Sequence, residues 1–279
     1  MNARPTIPPN RGRVGFAIRL TIAIHVLALL LLLNWHLWPV SLAIVALNHL
    51  VLAAAGLWPR STLLGPNHRR LSARACAAGE VALTIDDGPD PLITPQVLEL
   101  LDQFGCKATF FCIGELVAAH ADIARDIVRR GHAIENHTHR HFMYFSLMGP
   151  SAMRREIIEA QNTITAAVGQ TPRYFRAPAG LRNPLLEGVL GIEALELVSW
   201  TRRGFDTVTN DPKVVLARLT RNLRAGDIVL LHDGHAARTA DGSAVILEVL
   251  PGLLAAFAAA GLAPVTLRQA LPIAHERSS

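Results

Sequence analysis

Short apolar segments alternate with longer amphipathic segments from residue 80 onward. Residues 81–85 and 108–113 are typical of buried strands, whereas 92–104 has its apolar residues at helical spacing. The alternation continues with predicted helices over 121–130, 151–168, a segment from Asp211-Pro212 to Gly226, and 244–260, and with predicted strands over 132–135, 173–176, 195–200, 227–231 and 264–267. This order predicts an α/β fold, a parallel barrel of six or seven units, with an open doubly wound sheet as the alternative.

The residues before this region have a different pattern. Two apolar stretches, 14–33 and 40–58, each approach the roughly 20 residues needed to cross a bilayer, and the turn 34–39 contains two tryptophans. We predict a transmembrane helical hairpin. His25 and His49 fall at similar depths in the two stretches, where we expect a hydrogen bond between them to stabilise the pair.

The chain therefore divides into three predicted segments. Residues 1–59 form the membrane anchor, 60–79 a basic juxtamembrane linker, and 80–279 the catalytic domain. Arginines cluster at the outer ends of both apolar stretches, which predicts an integral protein of the cytoplasmic membrane with its catalytic domain in the cytoplasm. Export of the domain behind a signal peptide or single anchor is the alternative.

The distribution of charge argues against a nucleic-acid partner. Residues 1–79 contain eight arginines and no aspartate, glutamate or lysine, while the whole chain has a net charge of only +5. The remaining residues therefore have a net charge of −3, which provides no basic surface for nucleic acid. The three cysteines lack a metal-binding spacing, and their odd number suits a reducing compartment.

Polar residues follow several predicted strands at the point where each ends. Asp86 and Asp87 come directly after the first strand and precede Gly88-Pro89. Because neighbouring side chains of a strand point apart, one carboxylate can bind a metal while the other accepts a proton. A simple strand-ending turn is the alternative for this pair.

A histidine-rich segment downstream complements the aspartates. His137 and His141 share one face if the segment forms a helical turn, whereas His137 and His139 share one face if it is extended. Two imidazoles together with Asp87 suit zinc or another divalent first-row metal. Arg176 and His232 also follow predicted strands, so four strand ends have polar residues of this kind.

The ordered motifs resemble those of the polysaccharide deacetylases, the NodB-homology domain of carbohydrate esterase family 4. They are TIDDGP at 84–89, HTxxH at 137–141, RAPAG at 176–180 and LxH at 230–232, within a resemblance that covers about residues 80–270. The resemblance implies a distorted, incomplete (β/α) barrel of about seven strands. It also implies a metal-dependent hydrolase of carbon–nitrogen bonds that removes an N-acetyl or other N-acyl group from an amino sugar.

The same resemblance implies roles for individual residues. Asp87, His137 and His141 would bind the metal, most simply zinc; Asp86 would be the general base and His232 the general acid; Arg176 would position Asp86, and Leu230 would line the acetyl pocket. The backbone N–H of Ala179 would stabilise the oxyanion. Asp206 is the expected partner of His232, although the acid-Trp pair common in relatives is absent here, and Ala179 replaces an aromatic residue often found in its motif.

The expected substrate is an N-acetylated amino sugar of a glycan or of a lipid-linked glycan precursor at the membrane. Two alternatives remain at this stage. The first is an O-acetyl carbohydrate esterase with the same site chemistry, and the second is a catalytically silent glycan-binding membrane scaffold.

Overall fold

A computed structural model describes residues 15–271. Its strands are β1 Glu80–Asp86, β2 Ala108–Cys112, β3 Ala133–Asn136, β4 Tyr174–Phe175, β5 Glu196–Leu197, β6 Arg202–Arg203, β7 Ile228–His232 and β8 Ala263–Pro264. Its helices are α1 Phe16–Leu31, α2 Trp38–Leu57, α3 Ala73–Ala77, α4 Thr94–Gln103, α5 Gly114–Ala119, α6 Ala121–Arg129, α7 Pro150–Val168, α8 Leu186–Ile192, α9 Pro212–Thr220, α10 Val245–Ala259 and α11 Leu267–Ala270. Short 3-10 turns cover Trp35–Leu37, Phe145–Leu147 and Pro178–Gly180.

The strands form one curled parallel sheet in the order β5-β4-β3-β2-β1-β7-β6, and β8 pairs with the first residues of β1. Each pairing between these strands is parallel. The predicted incomplete barrel is confirmed, and the open doubly wound alternative is wrong. β6 was not predicted because its two residues are both arginines and form no apolar segment.

Alternating side chains of the central strands enter two different cores. From β1, Val81, Leu83 and Ile85 pack against the outer helices, whereas Ala82 enters the core inside the curled sheet. Because side chains alternate along a strand, Asp86 lies on the same inner face as Ala82. The inner face therefore presents polar side chains at the carboxyl edge of the sheet.

The segment 60–79 is packed onto the domain. Leu71 and Ala75 join the inner core, and His68 forms a bridge to Val198 next to β5. Ser72 caps α3 by accepting a hydrogen bond from Ala75 N–H. The division at residue 80 stays a prediction, but these contacts attach the segment firmly to the sheet.

Helices α1 and α2 form an antiparallel pair that leaves many large apolar side chains exposed. Within the described residues, the helical segment Trp35–Leu57 is long and apolar enough to cross a bilayer, and α1 is a shorter apolar helix. Thr21 and Asn48 hydrogen bond across the pair. His25 and His49 do meet, with ring centroids 5.2 Å apart, but each Nδ1 bonds a carbonyl of its own helix instead of the other histidine.

Candidate active site

The predicted site residues meet at the carboxyl edge of the half-barrel. β1 and β7 pair so that Asp86 lies opposite His232, and β3 and β4 bring His137 and Arg176 to the same edge. A cleft of about 450 Å³ opens there. Its lining is Asp86, Asp87, Ile113, Glu115, Leu116, His137, Arg140, His141, Met143, Ala179, Gly180, Trp200, Arg203, Thr207, Leu230, His232 and His235.

Asp87, His137 and His141 form a compact cluster at the base of this cleft. Their ligand-type atoms all lie within 4.8 Å of one another. Asp87 Oδ1 is 3.1 Å from His137 Nε2 and 3.2 Å from His141 Nε2. One carboxylate oxygen and two imidazole nitrogens thus converge on one point.

A bend in the backbone, not a helical turn, brings His141 to the cluster. Thr138 and His141 both have positive φ, at 66° and 52°. Asn136 Oδ1 accepts from Thr138 N–H, and Thr138 Oγ1 accepts from His141 N–H. The expected helical turn is wrong, and so is the extended alternative, because His139 points away and its Nε2 lies 3.5 Å from Glu159.

The protonation of the cluster fits a divalent metal. His137 Nδ1 donates to the carbonyl oxygen of Arg176 over 2.7 Å, so Nε2 is the ring nitrogen that faces Asp87. Burial lowers the pKa of His141 to about 4, which keeps this imidazole neutral at physiological pH. Burial alone would raise the pKa of Asp87, but hydrogen bonds from His137 and His235 hold it well below its ordinary value. Neutral imidazoles and an ionised carboxylate are the forms that bind such ions.

Asp86 is held by a buried arginine. Arg176 Nη1 donates to Asp86 Oδ1 over 2.6 Å and to Thr84 Oγ1 over 2.9 Å. Carbonyls of Val198 and Ser199 accept from the remaining guanidinium nitrogens, and its plane lies over Phe111 at 4.1 Å. Because Oδ1 is engaged, Oδ2 is the oxygen of Asp86 that remains for chemistry in the cleft.

His232 has a buried carboxylate partner on its far side. Asp206 Oδ1 accepts from His232 Nδ1 over 3.0 Å, and Asp206 Oδ2 accepts from the His232 backbone N–H over 2.7 Å. Burial alone would lower the pKa of His232, but the hydrogen bond and negative charge of Asp206 raise it above its ordinary value. Nε2 is then the nitrogen available to the cleft, and the raised pKa favours the protonated form of the ring.

Two further predicted residues line the cleft. Ala179 has φ 53°, within the 3-10 turn Pro178–Gly180, and no hydrogen bond within residues 15–271 occupies its backbone N–H. Leu230 is the β7 residue two positions before His232, so its side chain shares the inner face. The structure thus provides a free backbone donor and an apolar wall in one cleft.

His235, Trp200 and Arg203 are among the cleft residues that the sequence did not identify as part of the site. His235 Nδ1 lies 3.2 Å from Asp87 Oδ2, and its ring stacks on His141 with centroids 5.9 Å apart. Trp200 and Arg203 line another wall, with the guanidinium 5.3 Å from the indole centroid. The only sequence signal for His235 was its position in the loop after β7, three residues beyond His232.

Fold and site together define a class of protein, the α/β half-barrel hydrolases with a carboxylate and histidine site at the carboxyl edge. The family model described as polysaccharide deacetylase matches residues 74–191. The chain is 34% identical over 175 residues to a peptidoglycan-N-acetylglucosamine deacetylase of Bacillus cereus, covering 62% of this chain and 81% of the relative. It is 36% identical over 156 residues to a chitooligosaccharide deacetylase of a Bradyrhizobium species, covering 56% of this chain and 71% of the relative.

A solved structure agrees with these matches. The family 4 carbohydrate esterase from Streptomyces lividans in complex with acetate superimposes with a TM-score of 0.62 and 29% identity, over 69% of this chain and 95% of that one. The chain belongs to the polysaccharide deacetylase family, carbohydrate esterase family 4. The predicted family is confirmed. The predicted activity, hydrolysis of a carbon–nitrogen bond, is confirmed at the level of the family.

Proposed function

We propose that this chain is a membrane-anchored, metal-dependent deacetylase that removes an N-acetyl or other N-acyl group from an amino sugar of a glycan or a lipid-linked glycan precursor. One observation carries the proposal. A carboxylate held by Arg176 and an imidazole held by Asp206 flank the Asp87, His137 and His141 cluster in a single cleft. The substrates named for the two relatives support an N-acetylated glucosamine unit as the target.

We assign metal binding to Asp87, His137 and His141. A set of one carboxylate and two imidazoles suits zinc and leaves positions for water and substrate. When bound, the divalent ion would polarise the scissile carbonyl and make the attacking water more acidic. The hydrogen bond from His137 Nδ1 to the Arg176 carbonyl would fix one of these ligands in orientation.

The proton transfers are assigned to Asp86 and His232. Asp86 takes a proton from the attacking water through Oδ2, while the hydrogen bond from Arg176 to Oδ1 holds the carboxylate in orientation. As the carbon–nitrogen bond breaks, His232 gives its Nε2 proton to the departing sugar nitrogen, and the negative charge of Asp206 stabilises the imidazolium before transfer. The products are acetate, or the corresponding carboxylate, and a free sugar amine.

The remaining cleft residues place the acyl group. The Ala179 N–H is free to donate to the oxygen that becomes negative during attack. Leu230 supplies an apolar surface for the methyl group, as in the assignment from the family motif. Trp200 adds an aromatic wall in place of the aromatic residue absent at Ala179.

The location of the cleft supports a substrate at the membrane surface. At the carboxyl end of α2, Gly56 O accepts from Arg182 N–H over 3.2 Å. Pro59 lies so near Gly180 that a Cβ there would be 2.7 Å from it. Gly180 lines the cleft, so the proposed anchor ends beside the site and holds it close to the bilayer. A lipid-linked glycan is the substrate that this arrangement favours.

Substitution of the acid and the base tests the mechanism in the full chain. Asp86→Asn and His232→Ala should each retain metal and lose turnover of an N-acetylated chitooligosaccharide. The exposed Asp122→Asn and the partly exposed His120→Ala are matched controls and should retain both. Full activity in either site variant would refute the assigned roles.

The alternatives are separated by parallel assays. Faster hydrolysis of an O-acetylated sugar than of the matched N-acetylated sugar would favour the esterase. Metal binding without turnover of either sugar by the unsubstituted chain would favour the silent scaffold.

Labelling of engineered cysteines tests the orientation of the anchor. If the catalytic domain is cytoplasmic, an impermeant thiol reagent applied to intact cells should label His36→Cys in the exposed turn and spare Ser151→Cys on α7. The reverse labelling pattern would place the domain on the outside and contradict a cytoplasmic precursor as substrate.

A further inference from the structure

A second cleft adjoins the catalytic one, and no catalytic role accounts for it. It measures about 530 Å³ and is lined by Trp58, Arg60, Asn67, His68, Arg69, Arg70 and Thr201. Trp200 lines the catalytic cleft, and the next residue, Thr201, lines this one. We call it the arginine cleft.

The arginine cleft has an excess of positive charge. Arg60 and Arg69 are exposed and form no ion pair among residues 15–271. Arg60 Nη1 donates to Thr201 O and Arg69 Nη1 to Arg60 O, each over a long 3.4 Å, so most of their donors remain available. Arginine forks of this kind match the oxygens of a phosphate group.

The carboxylates near the cleft do not neutralise this excess. Asp227 pairs with Arg70 at 2.8 Å and is shared with Arg202. Glu196 lies 2.5 Å from His68 Nε2. Both acids are therefore engaged by other partners, and no ion pair within residues 15–271 compensates the charges of Arg60 and Arg69.

The arginine cleft lies where α2 ends. Trp58 follows the last residue of α2 and is exposed, as is Leu57. Asn67 Nδ2 donates to the carbonyls of Pro59 and Ser61, which fixes the loop that carries Arg60. Tryptophans are enriched at the level of lipid headgroups. If α2 crosses the bilayer, the arginines lie at headgroup level with apolar surface beside them.

We propose that the arginine cleft binds the phosphate group of a membrane lipid. The inference rests on the membrane anchor of the proposed function. The phosphate can come from an anionic phospholipid of the surrounding bilayer or from the carrier of a lipid-linked sugar whose glycan enters the adjacent catalytic cleft. In either case the cleft fixes the depth and rotation of the catalytic domain against the bilayer.

Native mass spectrometry of the full chain in a neutral detergent tests the site. The probes are phosphatidylglycerol, a polyprenyl monophosphate and, as the lipid without phosphate, diacylglycerol. We expect the double variant Arg60→Gln and Arg69→Gln to bind phosphate-bearing lipid about 25-fold more weakly, since each basic residue near an anionic lipid contributes about fivefold. The matched double variant Arg125→Gln and Arg155→Gln removes two exposed charges from α6 and α7 and should bind as the unsubstituted chain does.

The outcomes separate the two sources of phosphate. Binding of both phosphate lipids supports a bilayer phospholipid, whereas binding of the polyprenyl phosphate alone supports the substrate carrier. The proposal would be overturned if the two double variants bound phosphate-bearing lipid equally well. It would also be overturned if the unsubstituted chain retained diacylglycerol as well as it retained the phosphate-bearing lipids.

Deacetylation of a soluble chitooligosaccharide, measured on the same samples, separates this inference from the proposed function. Neither Arg60 nor Arg69 lines the catalytic cleft, so their variant should retain this activity. If the variant binds lipid as well as the unsubstituted chain while both deacetylate the oligosaccharide, the lipid site fails and the function stands. If the unsubstituted chain binds lipid but deacetylates nothing, the function fails and the lipid site stands.

Discussion

The pairing of Asp206 with His232 makes a prediction about the pH dependence of turnover. Asp206 is fully buried and engages His232 twice, at Nδ1 and at the backbone N–H. Its charge opposes the effect of burial and raises the pKa of His232. The acid form of His232 therefore persists to higher pH than that of an ordinary histidine. Activity that requires this form is lost as the pH rises through the pKa of His232.

Asp206→Asn removes the charge and keeps one oxygen that can accept from His232 Nδ1, while its amide nitrogen replaces the oxygen that accepts from the His232 backbone N–H. A hydrogen bond to a charged group contributes about 1.5–3 kcal/mol and a neutral one about 0.5–1.5 kcal/mol. The substitution should therefore weaken the stabilisation of protonated His232 by about 1–2 kcal/mol. This corresponds to a decrease of about five- to thirtyfold in kcat/KM on the alkaline side of the optimum. The alkaline limb of the profile should move to lower pH, because the pKa of His232 falls when the carboxylate charge is removed.

The assay is kcat/KM for a soluble chitooligosaccharide across pH, with the full chain in detergent and with metal content measured on the same samples. Asp122→Asn, an exposed substitution on α6, is the matched control. An alkaline limb at the same pH in Asp206→Asn as in the unsubstituted chain, with metal retained, would refute the role of Asp206. A variant that has lost metal would instead show a general disturbance of the cleft, which the metal measurement detects.

Three other predictions concern histidines. His141→Ala should lose bound metal on dialysis while His139→Ala retains it, because only His141 faces Asp87; equal metal content in the two would contradict the assignment. His235→Ala should weaken metal binding about 10- to 100-fold in a chelator competition, since its ring orients the carboxylate of Asp87, and unchanged affinity would exclude that role. Burial lowers the pKa of His132 to about 4, so the folded state binds fewer protons than the unfolded state between about pH 6.5 and 4. The free energy of unfolding should therefore fall by up to about 3 kcal/mol as the pH is lowered through this range. Thermal unfolding of His132→Gln should depend less on pH over this range; an equal dependence would show that His132 is not responsible.

Much of the site was predictable because its residues lie at the ends of strands that the sequence pattern predicts. Asp86, His137, Arg176 and His232 each end or follow a short buried segment, and parallel strands bring such positions to one edge. The start of α9 was also predictable from the sequence, because the side chain of Asp211 caps the helix by accepting from the N–H groups of Lys213 and Val214. In both cases the determining contacts are local or follow from strand register.

The choice between His139 and His141 was not predictable from spacing. It depends on the bend at Thr138, whose carbonyl accepts from Gly114 N–H, while His139 O accepts from Glu115 N–H. These partners lie at the start of α5, more than 20 residues earlier, so no periodic pattern records them. The packing of 60–79 onto the sheet was missed for the same reason, because its apolar residues are few and widely spaced.

Two adjacent and identical residues differ in role because their backbones differ. Asp86 is the last residue of β1, with a side chain on the inner face that meets Arg176. Asp87 has φ 76°, a conformation that aspartate adopts only at a cost, and it turns the carboxylate toward the histidines. The close approach of the loop after β7 supports this turn, because a Cβ at Gly234 would lie 2.3 Å from Asp87 O. A side chain at Gly234 would therefore press on Asp87 and disturb its approach to His137 and His141, so the glycine supports the proposed metal ligand although it contributes no chemistry of its own.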